Sequence, residues 1–239
     1  KKYLSESITK PVFAPKINSI DSLIKEISGL KEIKKSYLEN EVYQLYNQAK
    51  IPGYKERNYD TAVVNSFLKD SSEIEQNLLN VEDVMHELIE LNKIKHWGEN
   101  NPSINIKQEF LKSLTSIYQE FKQKLNTQGL GTKGMCYSEA VVNLEHYKKA
   151  NTNKRFFFIG LNALSKAEEI IIKELIAINS SNIFWDIDSN CFKNRNHSAS
   201  FHIRKYRKEW SFYSKNKFKW LNNDLDSEKK INIIEAQGD

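Results

Sequence analysis

The stretch from Arg155 to Asp188 constrains the fold more than any other part of this chain. Arg-Phe-Phe-Phe-Ile at 155–159 is a short apolar run that breaks at Gly160 into a polar turn, the pattern of a buried strand. Ser165 followed three residues later by Glu168 is a capping box, so a helix opens there. Its apolar positions Ala167, Ile171, Leu175 and Ile178 recur every three or four residues. Asn182–Asp186 repeats the strand pattern and ends in acids, Asp186 and Asp188. A strand, a helix and a second strand in that order predict a parallel pair with the helix packed against it.

Most of the chain before residue 154 reads as helix. Residues 11–17 (Pro-Val-Phe-Ala-Pro-Lys-Ile) read as an edge strand or an extended connection, because two prolines remove ladder donors. Ser19 caps a helix with the stripe Ile20, Leu23, Ile24 and Ile27, ended by Gly29. Leu38, Val42, Leu45, Tyr46 and Ala49 form a second helix, and Pro52-Gly53 is a break. Val63, Phe67, Ile74 and Leu78 mark a third. Val84, Leu88, Leu91 and Ile94 mark a fourth, followed by a loop over Trp97–Ser103. The cleanest stripe is Phe110, Leu114, Ile117, Phe121 and Leu125. Gly129, Gly131 and Gly134 loosen the backbone before a helix with Ala140, Val141, Leu144 and Tyr147. Strands are expected only after residue 154, at Arg155–Ile159, Asn182–Asp186 and Ile231–Ile234. The opening Lys1 and the apolar run just before Asp239 read as the ends of an excised segment.

The 239 residues, 39% hydrophobic and 28% charged, suit one sizeable core or two modest ones. No apolar run reaches the length of a membrane span, and the N-terminus lacks the charged-then-apolar order of a signal peptide. Two cysteines, Cys136 and Cys191, then read as reduced thiols in a cytoplasmic protein. Charge is concentrated in one place. Lys193–Trp220 holds nine Lys or Arg and one acid, a net +8 against +5 for the whole chain, which leaves −3 for everything else. A basic segment on a slightly acidic body points to a local polyanion contact.

Within that segment Ile203, Tyr206, Trp210 and Tyr213 share one helical stripe, and Arg204, Lys205, Arg207 and Lys208 lie beside and opposite it. Phe212, Phe218 and Trp220 interleave with Lys215, Lys217 and Lys219. Cationic side chains pair with phosphates, and exposed aromatic rings stack on bases. The competing reading makes the stripe core and the charges a solvated face or a contact with protein. The five histidines (86, 96, 146, 197 and 202) show no zinc-ligand spacing and read as surface residues.

With these pieces placed, the chain resembles the AddB/RecB-like helicase–nuclease family of bacterial double-strand-break repair. The matching pieces are Pro11-Val-Phe-Ala-Pro-Lys-Ile with Ser19-Ile20, Asp70-Ser71-Ser72-Glu73-Ile74-Glu75, and Gly134-Met135-Cys136-Tyr137-Ser138-Glu139-Ala140-Val141. The longest is Phe158-Ile159-Gly160-Leu161-Asn162-Ala163-Leu164-Ser165-Lys166-Ala167-Glu168-Glu169. Ile183-Phe184-Trp185-Asp186-Ile187-Asp188 and Phe201-His202-Ile203-Arg204-Lys205-Tyr206-Arg207-Lys208-Glu209-Trp210 follow in order. The resemblance implies a helix-rich α/β fold: a partial RecA-like (P-loop NTPase-type) parallel sheet with a large all-helical insertion. It implies that 1–30 and 154–228 belong to a first motor domain (1A), 31–153 to its inserted helical subdomain (1B), and 229–239 to the start of the next (2A-like). The phosphate-binding loop would lie upstream of Lys1, and a PD-(D/E)XK nuclease downstream of Asp239.

The departures from that family pattern carry the functional expectation. Ile159 and Gly160 stand where the Walker B acids of an active motor hold magnesium-bound water, and neither has a side-chain oxygen. Asp186-Ile-Asp-Ser stands where an active helicase has a Gly-Asp-x-x-Gln switch. Ser71 and Glu75 stand where relatives more often show Phe and Asp. Gly129-Leu-Gly131-Thr-Lys133-Gly134 has the wrong spacing for a phosphate loop and reads as an interhelical loop. Glu32-Ile-Lys34 and Glu120-Phe-Lys122 fall in helical stretches, and no proline precedes an acid, so no nuclease motif is present.

Three readings result. The first is a non-catalytic, inactivated helicase-like segment of a DNA repair and recombination exonuclease. It needs no cofactor and steers single-stranded DNA or a duplex end toward a distant nuclease domain. Arg204, Lys205, Arg207, Lys208, Lys215, Lys217 and Lys219 are its DNA contacts. Its other partners are the remaining domains of the parent protein and an active helicase–nuclease subunit, with no membrane. The second is a structural module whose basic face docks on protein. The third is a metal-dependent enzyme using Asp186 and Asp188, whose alternation places both carboxylates on one strand face. The competing role for these two acids is to cap the following turn or to pair with the basic segment after 193.

Overall fold

The computed structural model describes residues 14–48, 61–95, 102–218 and 221–228. Helix dominates, and the strands form short parallel pairs. The chain divides into two compact units, Lys1–Leu144 and Glu145–Asp239.

The first unit opens on irregular, exposed chain at 14–18 and then on α1 (Ile20–Ser28). Ser19 Oγ accepts from Ser22 N at 3.2 Å, and Gly29 ends the helix at φ +71° with its N–H on Lys25 O. A left-handed residue at that place is why glycine stands there. β1 (Lys31–Glu32) follows. Then come α2 (Lys35–Gln48), α3 (Thr61–Gln76), α4 (Val81–Lys95) and α5 (Pro102–Thr127). β2 (Leu130–Gly131) pairs in parallel with β1, Lys31 opposite Leu130 and Glu32 opposite Gly131. α6 (Lys133–Ala150) follows, and the division between the units falls inside it.

The core of this unit joins Val42 and Leu45 of α2, Phe67 of α3, Val81 and Met85 of α4, and Leu114, Ile117, Tyr118, Phe121 and Leu125 of α5, with Met135. Each such side chain removed from water contributes roughly 1.5–3 kcal/mol. Four expectations change here. Helix α4 buries Val81, Met85 and Ile89, whereas Leu88, Leu91 and Ile94 are exposed. Both stripes have helical spacing, and contact with α5 selects the one starting at Val81. Strands do occur before residue 154, because Lys31–Glu32 and Leu130–Gly131 pair although far apart in sequence; Glu32 is therefore in a strand. Pro102 is the first residue of α5 rather than part of a loop, a position where its missing N–H is not needed. Leu78 lies beyond α3, at φ +59°.

Gly134 sits in the first turn of α6 because nothing larger fits. A Cβ there would lie 2.7 Å from both Cα and O of Ser72 and 2.8 Å from Glu75 Oε2. The glycines of 129–134 thus do two jobs. Gly129 takes φ +65° at the end of α5, and Gly134 admits the backbone of α3.

The second unit is built on β3 (Phe157–Ile159), α7 (Lys166–Ile176) and β4 (Asn182–Phe184). β3 and β4 pair in parallel, with Phe157 opposite Asn182, Phe158 opposite Ile183 and Ile159 opposite Phe184. The capping box is formed: Ser165 N donates to Glu168 Oε2 at 2.8 Å and Glu168 N to Ser165 Oγ at 3.4 Å. α7 buries Ala167, Ile171, Ile172 and Leu175 completely, while Ile178 lies beyond its end and is half-buried. On the strands, Phe158 and Ile183 are buried, and the alternate residues Phe157 and Ile159 are 57% and 73% exposed.

The expected strand to Asp186 stops at Phe184. β5 (Ile187–Asp188) belongs to a different pair, with β6 (Leu221–Asn222) as its parallel partner. Trp185 between them is buried and its Nε1 donates to Tyr213 Oη at 2.5 Å. Between β5 and β6 come α8 (Ser189–Lys193), a 3-10 turn at Ser198–Ser200, α9 (Phe201–Glu209) and α10 (Phe212–Lys215). A second 3-10 turn, Asp224–Asp226, follows β6. Pro11–Phe13, Ala49, Pro52-Gly53, Trp97, Lys219, Trp220 and Ile231–Ile234 lie outside the described residues.

Candidate nucleic-acid interface

α9 is amphipathic, and its apolar stripe is core. Ile203, Tyr206 and Trp210 are at most 2% exposed. Their polar atoms are satisfied internally. Tyr206 Oη accepts from Leu164 N at 3.0 Å, and Trp210 Nε1 donates to Glu169 Oε1 at 3.2 Å. Trp185 stacks on Tyr206 with ring centres 5.6 Å apart, and Tyr206 meets Trp210 at 5.0 Å. Burial raises the Tyr206 and Tyr213 hydroxyl pKa values above the usual phenol range. These rings are therefore structural, and base stacking on Tyr206 or Trp210 is closed off. Phe201 at the start of α9 is the aromatic residue of the helix that faces solvent.

Burying that stripe forces the cations outward, with one exception. Arg204 turns back on the loop after α8. Its Nη1 donates to Cys191 O at 3.1 Å and Asn194 O at 2.9 Å, its Nη2 to Arg195 O at 2.9 Å and His197 O at 3.0 Å, and it also reaches Ser200 Oγ. Helix ends leave carbonyls without intrahelical donors, and one guanidinium supplies them here. Arg204 is thus a fixed part of the fold, and both its Nη1 and Nη2 groups are engaged within it.

Lys205, Lys208, Lys215 and Lys217 are exposed. Among the described residues none of them has a carboxylate within ion-pair distance, in contrast to Lys166 and Lys173, which reach Glu169 at 3.6 and 3.7 Å. Lys193 and Arg195 are exposed as well, also without an ion pair among the described residues. The Arg207 Cζ lies over the rings of Phe192 and Phe218, 5.2 and 5.5 Å from their centres, and those rings stack 5.0 Å apart. Lys219 lies outside the described residues.

The other candidates have structural roles. Ile159 is exposed and Gly160 takes φ +75° with its N–H on Phe184 O at 3.4 Å, so the end of β3 presents no ligand oxygen from either side chain. Asp186 accepts from Asn222 Nδ2 at 2.8 Å. Asp188 caps α8 by accepting from Asn190 N at 2.8 Å, and its second oxygen accepts from Leu225 N at 2.9 Å. The capping role foreseen as the alternative for Asp188 is the one the geometry has, and the break at Trp185 removes the common strand face on which a metal pair would depend. Among the described residues no group of three or more His, Cys, Asp or Glu is placed to hold a metal. His197 Nδ1 accepts from Ala199 N at 3.3 Å, and its Nε2 lies 3.7 Å from Cys191 Sγ.

Sequence reasoning missed the inward turn of Arg204 and the pairing of Arg207 with two rings. Both depend on where the loop after α8 returns, which no periodicity encodes. Among the described residues no helix is long and apolar enough to cross a membrane. Comparison with family models, curated proteins and solved structures finds no match for this chain.

Proposed function

We propose that the second unit binds the phosphate backbone of DNA through the solvent face of α8–α10, as a non-catalytic segment of a larger DNA repair and recombination exonuclease of the AddB/RecB-like kind. The observation that carries this reading is the set of exposed, unneutralised cations Lys205 and Lys208 on α9, whose apolar stripe is already buried, with Lys215 at the end of α10 and Lys217 just beyond it. Charges that served only folding would be expected to meet carboxylates, as Lys166 and Lys173 do. The finer fold, a partial RecA-like sheet with a helical insertion, belongs to the same proposal and is supported by the β3–α7–β4 crossover. On this reading the segment steers DNA toward the parent protein's nuclease domain, beside an active helicase–nuclease subunit. Ile159 and Gly160 leave the end of β3 without the acids of a working motor.

The test is fluorescence anisotropy of labelled single-stranded and duplex oligonucleotides at several salt concentrations. Four phosphate contacts give a slope of log affinity on log salt of about −3.6 for duplex or −2.8 for single strands. Changing Lys205, Lys208, Lys215 and Lys217 to Glu abolishes binding if the reading holds. Absence of binding at low salt overturns it. A second reading, a module that docks on protein, is favoured by the exposed apolar residues Phe157 and Ile159 on one face of β3.

A further inference from the structure

We infer that the groove lined by Phe192, Arg204, Arg207 and Lys208 is a phosphate-binding site in which Arg207 is the fork that grips the oxyanion. The inference deepens the nucleic-acid reading above and rests on it for the natural source of the phosphate. The groove holds about 290 Å3 and has three cations and one aromatic ring among its lining residues, with no acid. Arg204 is immobilised by its carbonyl partners, so its charge stays beside the groove although its Nη1 and Nη2 groups are engaged.

Arg207 is the opposite case. Its guanidinium lies against the Phe192 and Phe218 rings, and no hydrogen bond or ion pair engages its N–H groups among the described residues. A guanidinium resting on aromatic faces keeps its plane and loses little freedom when it binds, while its in-plane donors remain available. Two parallel N–H groups on one planar edge match two oxygens of a phosphate. Lys208, the next residue, adds a mobile ammonium at the rim. A lysine in place of Arg207 would supply charge without the fork, and that difference makes the site testable.

The experiment uses the full chain and three variants, Arg207→Lys, Phe218→Leu and Lys208→Gln, each checked for an unchanged melting temperature. Oligonucleotide affinity is measured by anisotropy, with inorganic pyrophosphate as competitor. Arg207→Lys is expected to weaken binding about tenfold, because a charge-assisted bidentate contact is lost. Phe218→Leu is expected to weaken it severalfold without any change in charge, and millimolar pyrophosphate to displace the oligonucleotide from the wild type more readily than from Arg207→Lys. If Arg207→Lys lowers the melting temperature, Phe218→Leu and Lys208→Gln decide by the same titration.

Wild-type affinity in Arg207→Lys and Phe218→Leu, alongside loss on charge reversal at Lys205, overturns the fork and leaves diffuse nucleic-acid binding standing. Absence of salt-dependent oligonucleotide binding by the wild type overturns the nucleic-acid reading instead. In that case a pyrophosphate-induced rise in the wild-type melting temperature, lost in Arg207→Lys, supports a site for free phosphate compounds. No such rise overturns the inference as well.

Discussion

The carboxylate of Glu75, buried in the first unit, accepts a hydrogen bond from the hydroxyl of Tyr118 on the neighbouring long helix α5. Thr132 Oγ1 lies 3.4 Å from its other oxygen and Lys122 Nζ 3.5 Å from the first. Burial raises the Glu75 pKa above the ordinary glutamate value, and the Tyr118, Lys122 and Thr132 contacts offset this only in part. Between the ordinary pKa and the raised one, the folded state keeps a proton that the unfolded chain has lost. This group's contribution to stability therefore falls as pH rises through that window and is level above it. Glu75→Gln is expected to remove that slope, as read from urea denaturation midpoints between pH 4 and 8. Tyr118→Phe, which strips a donor from a buried acid, is expected to cost about 1–3 kcal/mol at pH 7.

Gly134→Ala sets two effects against each other. Alanine in place of glycine favours an exposed helix by about 1 kcal/mol. Here the added carbon would meet Ser72 Cα and O at 2.7 Å, and backbone cannot step aside as a flexible side chain can. Overpacking of this kind costs roughly 1–3 kcal/mol, so the clash is expected to win and the variant to melt earlier. Gly160→Ala is the control, since nothing lies within 4 Å of its Cβ and only the φ of +75° opposes the change. Its cost is expected to be about 1 kcal/mol, read by the same thermal scan.

Arg204 and Lys205 are neighbours in sequence with different tasks. Arg204→Ala leaves the carbonyls of Cys191, Asn194, Arg195 and His197 without that donor. It is expected to destabilise the second unit by about 1–3 kcal/mol and to weaken nucleic-acid binding only through the fold. Lys205→Glu is expected to leave stability within about 0.5 kcal/mol, as an exposed substitution does, while reducing affinity and the salt slope. Thermal melting and anisotropy on the two variants separate a scaffold arginine from a ligand-facing lysine. Equal melting temperatures with equal losses of affinity would remove the distinction.

Local chemistry was readable where it is self-contained. Ser19 with Gly29, and Ser165 with Glu168, bound their helices because a cap is made by residues within a few positions of one another. The stripe Leu114, Ile117, Phe121 and Leu125 was readable because α5 has one apolar face. Helix α4 has two, and its own spacing cannot rank Val81–Met85–Ile89 above Val84–Leu88–Leu91. The pairs β1–β2 and β5–β6 were missed for a related reason. Strands two residues long carry no periodicity, and their partners lie far along the chain. At the candidate interface, the exposure of Lys205 and Lys208 followed from the helical stripe they oppose. The inward turn of Arg204 did not, because its acceptors are backbone carbonyls, which every sequence has.

The face of β3 carrying Phe157 and Ile159 leads to the last prediction. Parallel strands ordinarily have both faces covered, yet these two residues are 57% and 73% exposed while Phe158 between them is buried. Replacing Phe157 and Ile159 by Thr is expected to shift the urea midpoint little, because little apolar surface is returned to water. Phe158→Ala is expected to cost about 3–5 kcal/mol. The double Thr variant is also expected to scatter less light at high protein concentration, since an exposed apolar patch promotes association. A large loss of stability in the double variant would mean that the face is covered within this chain. It would also remove the observation that favours docking on another protein, and leave the basic surface of α8–α10 as the candidate interface among the described residues of the second unit.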